Sequence, residues 1–144
     1  MAGEIEPLRL LAEDAEDLAV IAAAVQDAVG RLGDIHYDPA ARRLTLALNR
    51  FRWEAGARRR ERVRAGLQFG GVLAVSARKL RRGAPDAAVE LLTIAFEPGE
   101  PPGGEVLLRF SGDGDLRLSV ECLDVALADV SEPWSVKSAP AHER

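Results

Sequence analysis

Eleven cations crowd one stretch of the chain: Arg50, Arg52, Arg58, Arg59, Arg60, Arg62, Arg64, Arg78, Lys79, Arg81 and Arg82, against only Glu54 and Glu61. Residues 50–82 are therefore net +9. The remainder holds eight cations against twenty-one acids, net −13, so the overall −4 conceals a strongly polarised chain. That asymmetry is the composition of a surface for an anionic partner. Guanidinium groups pair with phosphates and aromatic faces stack on bases. Phe51 and Trp53 interleave with Arg50 and Arg52. A strand through 60–68 would put Arg60, Arg62, Arg64 and Gln68 opposite Val63, Leu67 and Phe69. The candidate anion or partner surface is Arg50, Arg52, Arg58, Arg59, Arg60, Arg62 and Arg64. A blander reading gives these charges to a solvated loop at 54–62, or to pairing with acids inside the fold or across a dimer. Arginine outnumbers lysine 17 to 2 throughout, which points to coding bias rather than to chosen sites. Phe51, Trp53 and Trp134 are candidate core or interface residues, because a chain with 5% aromatics tends to bury them.

No second constellation assembles a chemistry. His36 and His142 lie 106 positions apart in no recognisable ligand spacing and there is one cysteine, so no closed zinc site of Cys and His forms within one chain. Asp113-Gly114-Asp115 is similar to the start of a calcium loop but lacks the later ligands, and a hairpin turn fits it better. No G-x-S-x-G, P-loop or dinucleotide fingerprint occurs; Gly112-Asp113-Gly114 has no helix after it. Cys122 sits in an apolar alternation and is expected to behave as a small core residue. Glu97 and Glu100 flank a Pro-Gly loop, where acids are usually solvated. No catalytic, cofactor-binding or metal-binding residue is assigned, no cofactor is expected, and the reading leans away from an enzyme.

The elements that must position these residues are mostly strands. Asp14 is a plausible N-cap, with acids at 13–17 near the positive end of a helix dipole. Leu18, Ile21, Ala22, Val25 and Val29 form one apolar stripe, so a helix is expected from about Asp14 to Val29, with Gly30 ending it. Leu8–Leu11 reads as a short strand before it. Downstream the period falls to two: 35–37, a turn at Pro39, then Leu44, Leu46 and Leu48 on one face. Val63–Phe69 alternates, Gly70-Gly71 turns, and 72–75 continues. Residues 89–96 (VELLTIAF) suit a central strand covered on both faces. Residues 97–104 form a loop, 106–110 and 116–122 a hairpin, and 123–130 fits strand or helix, with strand preferred. Leu44–Leu48 echoes Leu92–Phe96 in pattern. That echo leaves open two related β-meanders or the common look of antiparallel hairpins.

At 144 residues the chain is sized for one domain with a substantial core. The expectation is an α+β domain over 1–136, with a mostly antiparallel sheet or partly open barrel of about seven strands and one main helix near the N-terminus. A two-layer sandwich is the alternative. Residues 137–144 (KSAPAHER) are expected to be a disordered tail. No run approaches the ~18 apolar residues of a membrane span, the N-terminus lacks a leader pattern, and a single cysteine suits a reducing cytoplasm.

Leu10–Leu18 (LLAEDAEDL), Leu48–Glu54 (LNRFRWE), Val72–Val75, Phe96–Glu100 (FEPGE) and Val120–Cys122 resemble the bacterial domain-of-unknown-function family twenty-nine forty-eight. The resemblance runs across nearly the whole chain. It implies one stand-alone bacterial domain and brings no functional residues with it. The expected role is a non-catalytic cytoplasmic domain acting through contacts with a protein partner or with itself as a homo-oligomer. An anion or nucleic-acid binding module on the arginine segment ranks second, an enzyme of unknown class third, and no membrane partner is expected.

Overall fold

A computed structural model describes residues 6–81, 83–137 and 140. Eleven strands form a single sheet within these residues: β1 (Arg9–Ala12), β2 (Ala28–Arg31), β3 (Ile35–Asp38), β4 (Arg43–Phe51), β5 (Glu61–Phe69), β6 (Val72–Arg78), β7 (Ala88–Pro98), β8 (Gly104–Phe110), β9 (Asp115–Val120), β10 (Val125–Asp129) and β11 (Trp134–Ser135). The order is β1-β10-β5-β4-β2-β7-β8-β9-β6, with β3 also on β4 and β11 also on β5. Every pairing is antiparallel. A mostly antiparallel sheet with one helix near the N-terminus is the architecture expected. The count of about seven strands is too low: among those it lacks are β2, hidden in the helical stripe, and the two-residue β11, which has no period to read.

Helix α1 (Ala15–Ala24) begins where the side chain of Asp14 accepts the Asp17 N–H at 2.8 Å, with Glu16 and Asp17 in its first turn. It ends five residues before the expected Val29. The Val25 N–H donates to the Ile21 carbonyl at 3.1 Å and the Gln26 N–H to the Ala23 carbonyl at 3.4 Å, and Asp27 adopts φ 63°, a left-handed conformation that halts a helix. Gly30 is no helix cap: it lies in β2, where a Cβ would sit 2.9 Å from the Ala47 carbonyl oxygen. Only a glycine lets β2 approach β4 that closely.

The inner face of the sheet carries Leu44, Leu46 and Leu48 of β4, Ala65, Leu67 and Phe69 of β5, and Val125 and Leu127 of β10. Leu18 and Ile21 of α1, with Val25 just past its end, cover that face, the helix packing on β1 and β7. Val72, Leu108, Phe110, Leu118 and Val120 from the other end of the sheet join the same apolar cluster. The sheet therefore coils on itself. Its far edge returns to the start of β4, where the Val72 N–H donates to the Arg42 carbonyl at 2.9 Å and the Tyr37 hydroxyl to the Val72 carbonyl at 2.9 Å.

Several local expectations need correction. β7 is central, yet a register shift between Leu91 and Thr93 leaves Leu92 and Thr93 exposed, so one face is uncovered there. Cys122 is exposed in the turn after β9, and Leu123 takes the buried position instead. Residues 123–130 contain strand β10, held between β1 and β5. β7-β8-β9 is a meander, but β6 leaves β5 to pair with β9, so the two halves are not copies. The expectation for the 137–144 tail falls outside the described residues except at Lys137 and Pro140. Among the described residues no helix is long and apolar enough to cross a membrane.

Candidate functional site

The first arginine of the segment is not on the surface. Arg50 continues the inward row of Leu44, Leu46 and Leu48, and its side chain is wholly buried. Nε and Nη2 donate to the two Asp129 oxygens, each at 2.8 Å. Nη1 and Nη2 donate to Glu54 at 3.0 and 2.7 Å, and Nη1 to the Phe51 carbonyl at 3.3 Å. Burial alone would favour the neutral guanidine. The bonds from Glu54 and Asp129 outweigh it and raise Arg50 above its ordinary value. Burial likewise opposes ionisation of Glu54, but its bond with Arg50 holds that carboxyl below its usual range. The assignment of Arg50 to a surface is thus overturned: with five donated bonds it fastens the end of β4 to β10.

The next arginines are also engaged. Arg52 is nearly buried and forms an ion pair with Glu61, with Glu54 at 3.8 Å. It too is removed from the proposed surface. Arg59 reaches Glu61 at 3.3 Å and Arg60 the Lys137 carbonyl at 3.2 Å. Despite some desolvation, these contacts with Arg52 and Arg59 hold the Glu61 carboxyl down. Arg62 and Arg64 share the outer face of β5, as the alternation predicts. Arg62 donates to the Asn49 carbonyl at 2.8 Å, and Arg64 to Asn49 Oδ1 and to Asp34, both at 3.1 Å. Arg58 is exposed and makes no ion pair among the described residues. Arg82 lies outside them. Arg50, Arg52, Arg59 and Arg64 are therefore paired with acids of the chain itself, and Arg58, Arg59 and Arg60 stand exposed in the turn before β5.

Phe51 is buried on the outer side of β4, its ring centroid 4.7 Å from that of Trp53 at a tilt of 59°. Trp53 is half-buried in a 3-10 turn (Trp53–Ala55), and its indole N–H donates to the Gln26 carbonyl at 3.3 Å. Trp134 stands opposite Arg62 in register and is 40% exposed.

Beside these aromatics is a carboxyl pair that periodicity did not single out. Asp27, 7% exposed, donates its backbone N–H to the Leu91 carbonyl at 2.8 Å. This bond anchors the break between α1 and β2 to β7. Glu90 stands opposite Val29 in register. Burial, then the charge of Asp27 and hydrogen bonding with it, push the Glu90 carboxyl up, and Arg62 opposes them. Burial lowers Arg62 in turn, against the attraction of Glu90 and Asp27. The one sequence signal was an aspartate just past Val25, since Asp is among the few residues that tolerate φ > 0.

The outer face of the sheet carries two depressions. One is a polar cleft of about 400 Å³ lined by Arg31, Asp34, Asn49, Arg64, Asp86 and Ala88. Arg64 pairs with Asp34 there, and Arg31 stands 4.0 Å from Asp86. The other, of about 220 Å³, is floored by Gly66, Ala126 and Ala128 between Thr45 and Gln68. Around it Leu11 is 76% and Val130 66% exposed. Among the described residues, no three or more His, Cys, Asp or Glu side chains come together as a metal site.

Comparison with curated proteins and with solved structures found no match. Residues 8–142 match the family model described as "Protein of unknown function (DUF2948)", and the chain belongs to that family.

Proposed function

We propose that the domain is a non-catalytic cytoplasmic protein-interaction module whose contact surface is the outer face of β1, β10, β5, β4 and β2, with a second copy of the chain as its first partner. The exposure of Leu11 and Val130 around a floor of Gly66, Ala126 and Ala128 carries this reading. A solvated antiparallel face normally presents polar side chains, and an apolar patch there marks a contact surface. The neighbouring cleft holds both signs of charge, Arg31 and Arg64 with Asp34 and Asp86. A patch with equal cations and anions can face its own copy across a two-fold axis without like-charge repulsion, which a patch of one sign cannot. Sedimentation velocity over a concentration series tests it. The expected result is a dimer that Leu11→Glu and Ala128→Glu convert to monomer without lowering the melting temperature. A wild-type monomer at every concentration would reject the second copy as partner.

The exposed run Arg58-Arg59-Arg60 favours a second reading, an anion-binding turn. Three phosphate contacts imply about a 40-fold loss of affinity between roughly 50 and 200 mM salt. Fluorescence anisotropy with single-stranded and duplex oligonucleotides decides between them. The interaction reading expects no binding at low salt, and binding abolished by R58Q/R59Q/R60Q would favour the anion site.

A further inference from the structure

We propose that the open seam between β3 and β6 is a binding site for a small aliphatic monocarboxylate, with its tail in an apolar cavity and its head on Arg81. The site shares no residue with the interaction surface proposed above. β3 is paired only with β4 and β6 only with β9, so each has one unpaired edge among the described residues. The two strands are tied at one end, where Tyr37 donates to the Val72 carbonyl and Val72 to the Arg42 carbonyl just before β4. Toward the other end no ladder joins them, and a cavity of about 240 Å³ opens there between Ile35 and Ala77.

The local sequence builds the walls. β6 stops at Arg78, and Lys79 turns away at φ 57°. Leu80 then folds over Gly114, where a Cβ would lie 2.5 Å from Leu80 Cδ2, so only a glycine admits it. On the other side the Gly33 N–H donates to the Pro85 carbonyl at 2.8 Å and the Leu32 N–H to the Ala87 carbonyl at 3.0 Å. Those bonds fix the 3-10 turn (Leu32–Asp34) against the segment 85–87. Between the walls Leu32, Ile35, Ala77, Leu80 and Leu116 offer aliphatic carbon, and Arg81 is the one charged lining residue among the described residues. Its side chain is exposed and makes no ion pair or hydrogen bond among them. They include no aromatic ring for a ligand to stack on and no acid to hold a cation. An apolar hollow with one convergent polar group, in the mouth of a coiled sheet, has the form of a small-ligand site. One guanidinium balances one carboxylate and matches its two oxygens. At ~30 Å³ per water-sized group the cavity holds about eight non-hydrogen atoms, the tail of a medium-chain acid.

Isothermal titration calorimetry of the full chain at about pH 7, where these acids are ionised, tests the site with butanoate, hexanoate, octanoate and dodecanoate, and with octanol as the uncharged probe. The expected result is an affinity that rises about four-fold per methylene as far as octanoate and then levels off, because the cavity is full. Arg81→Gln should weaken octanoate about five-fold, the upper worth of an exposed ion pair, and leave octanol unchanged. Ala77→Leu takes up the room that the small side chain leaves and should abolish binding of both. An affinity that keeps climbing through dodecanoate and ignores Ala77→Leu is partition onto the surface, and it overturns the site. So does the absence of saturable octanoate binding up to millimolar concentration. If Ala77→Leu fails to fold, Arg81→Gln decides alone, since the Arg81 side chain makes no bond that holds the fold among the described residues. An unchanged ratio of octanoate to octanol affinity then refutes the proposal.

Discussion

Replacing Asp129 by alanine takes from Arg50 two of its five hydrogen bonds and one of its two carboxylates, in a place water does not reach. It also removes the acceptor for the Leu8 N–H, 2.9 Å away, and so loosens β1 beside β10. Breaking a buried ion pair from one side costs about 3–5 kcal/mol, because the remaining charge keeps its desolvation penalty and loses its compensation. Glu54 still contacts Arg50 and is partly solvated, which places the expected loss near the lower end, about 3 kcal/mol. For a chain of this length that is a fall of roughly 10 °C in melting temperature. Replacing both partners by hydrocarbon, as in Arg50→Met with Asp129→Leu, should recover most of it, giving a coupling of about 2–3 kcal/mol in a double-mutant cycle. Urea melts of the wild type, both single variants and the double variant measure the cycle. If Asp129→Ala costs under about 1 kcal/mol, the end of β4 is not sealed from water and Arg50 is not buried there.

Trp53→Ala should cost about 2–3 kcal/mol, less than a fully buried tryptophan, since it loses half-buried area, the Phe51 ring contact and one hydrogen bond. Trp134→Ala should stay within about 1 kcal/mol by the same thermal melts. Stability should also fall on both sides of a central pH range. Glu54 and Glu61 titrate below their unfolded values, so their contribution is present above those values and disappears as pH falls through the depressed folded ones. Glu90 titrates above its unfolded value, so its contribution is full below that value and disappears as pH rises through the folded one. Thermal melts across pH should show the alkaline limb flattened by Glu90→Gln and the acid limb flattened by Glu54→Gln.

Much of the sheet was legible because its inner face is built from period-two runs. Leu44, Leu46 and Leu48, or Val63 to Phe69, leave no other reading, and Asp14 announced α1 by its chemistry. β2 was not legible, since Val25 and Val29 fit a helical stripe as well as a strand. The choice is made by Asp27 turning to positive φ and by β7 waiting to pair. Arg50 shows the opposite failure. Its position extends the leucine row by one step, but a charge argues for the outside until a carboxylate from β10, 79 residues away, is known to meet it. The Asp27–Glu90 pair is hidden for the same reason, joining a helix end to a strand distant in sequence. Local periodicity assigns faces, and it carries no information about which distant charges those faces bring together.

The place of β10 between β1 and β5 bears on how the chain acquires its structure. On a ribosome, α1 and the β4–β5 hairpin emerge long before residue 129, so Arg50 meets Glu54 early and Asp129 late. Until β10 arrives, β1 has no neighbour in the sheet, one edge of β5 is open, and the end of β4 keeps an arginine that must stay hydrated. The interior near Arg50 can dry only in the last step, when a late strand slides between two early ones. Such non-local closure is slow, and it leaves unpaired strand edges exposed meanwhile. Nascent chains stalled before β10 should therefore be held open at this seam, ready for a chaperone or for the wrong strand.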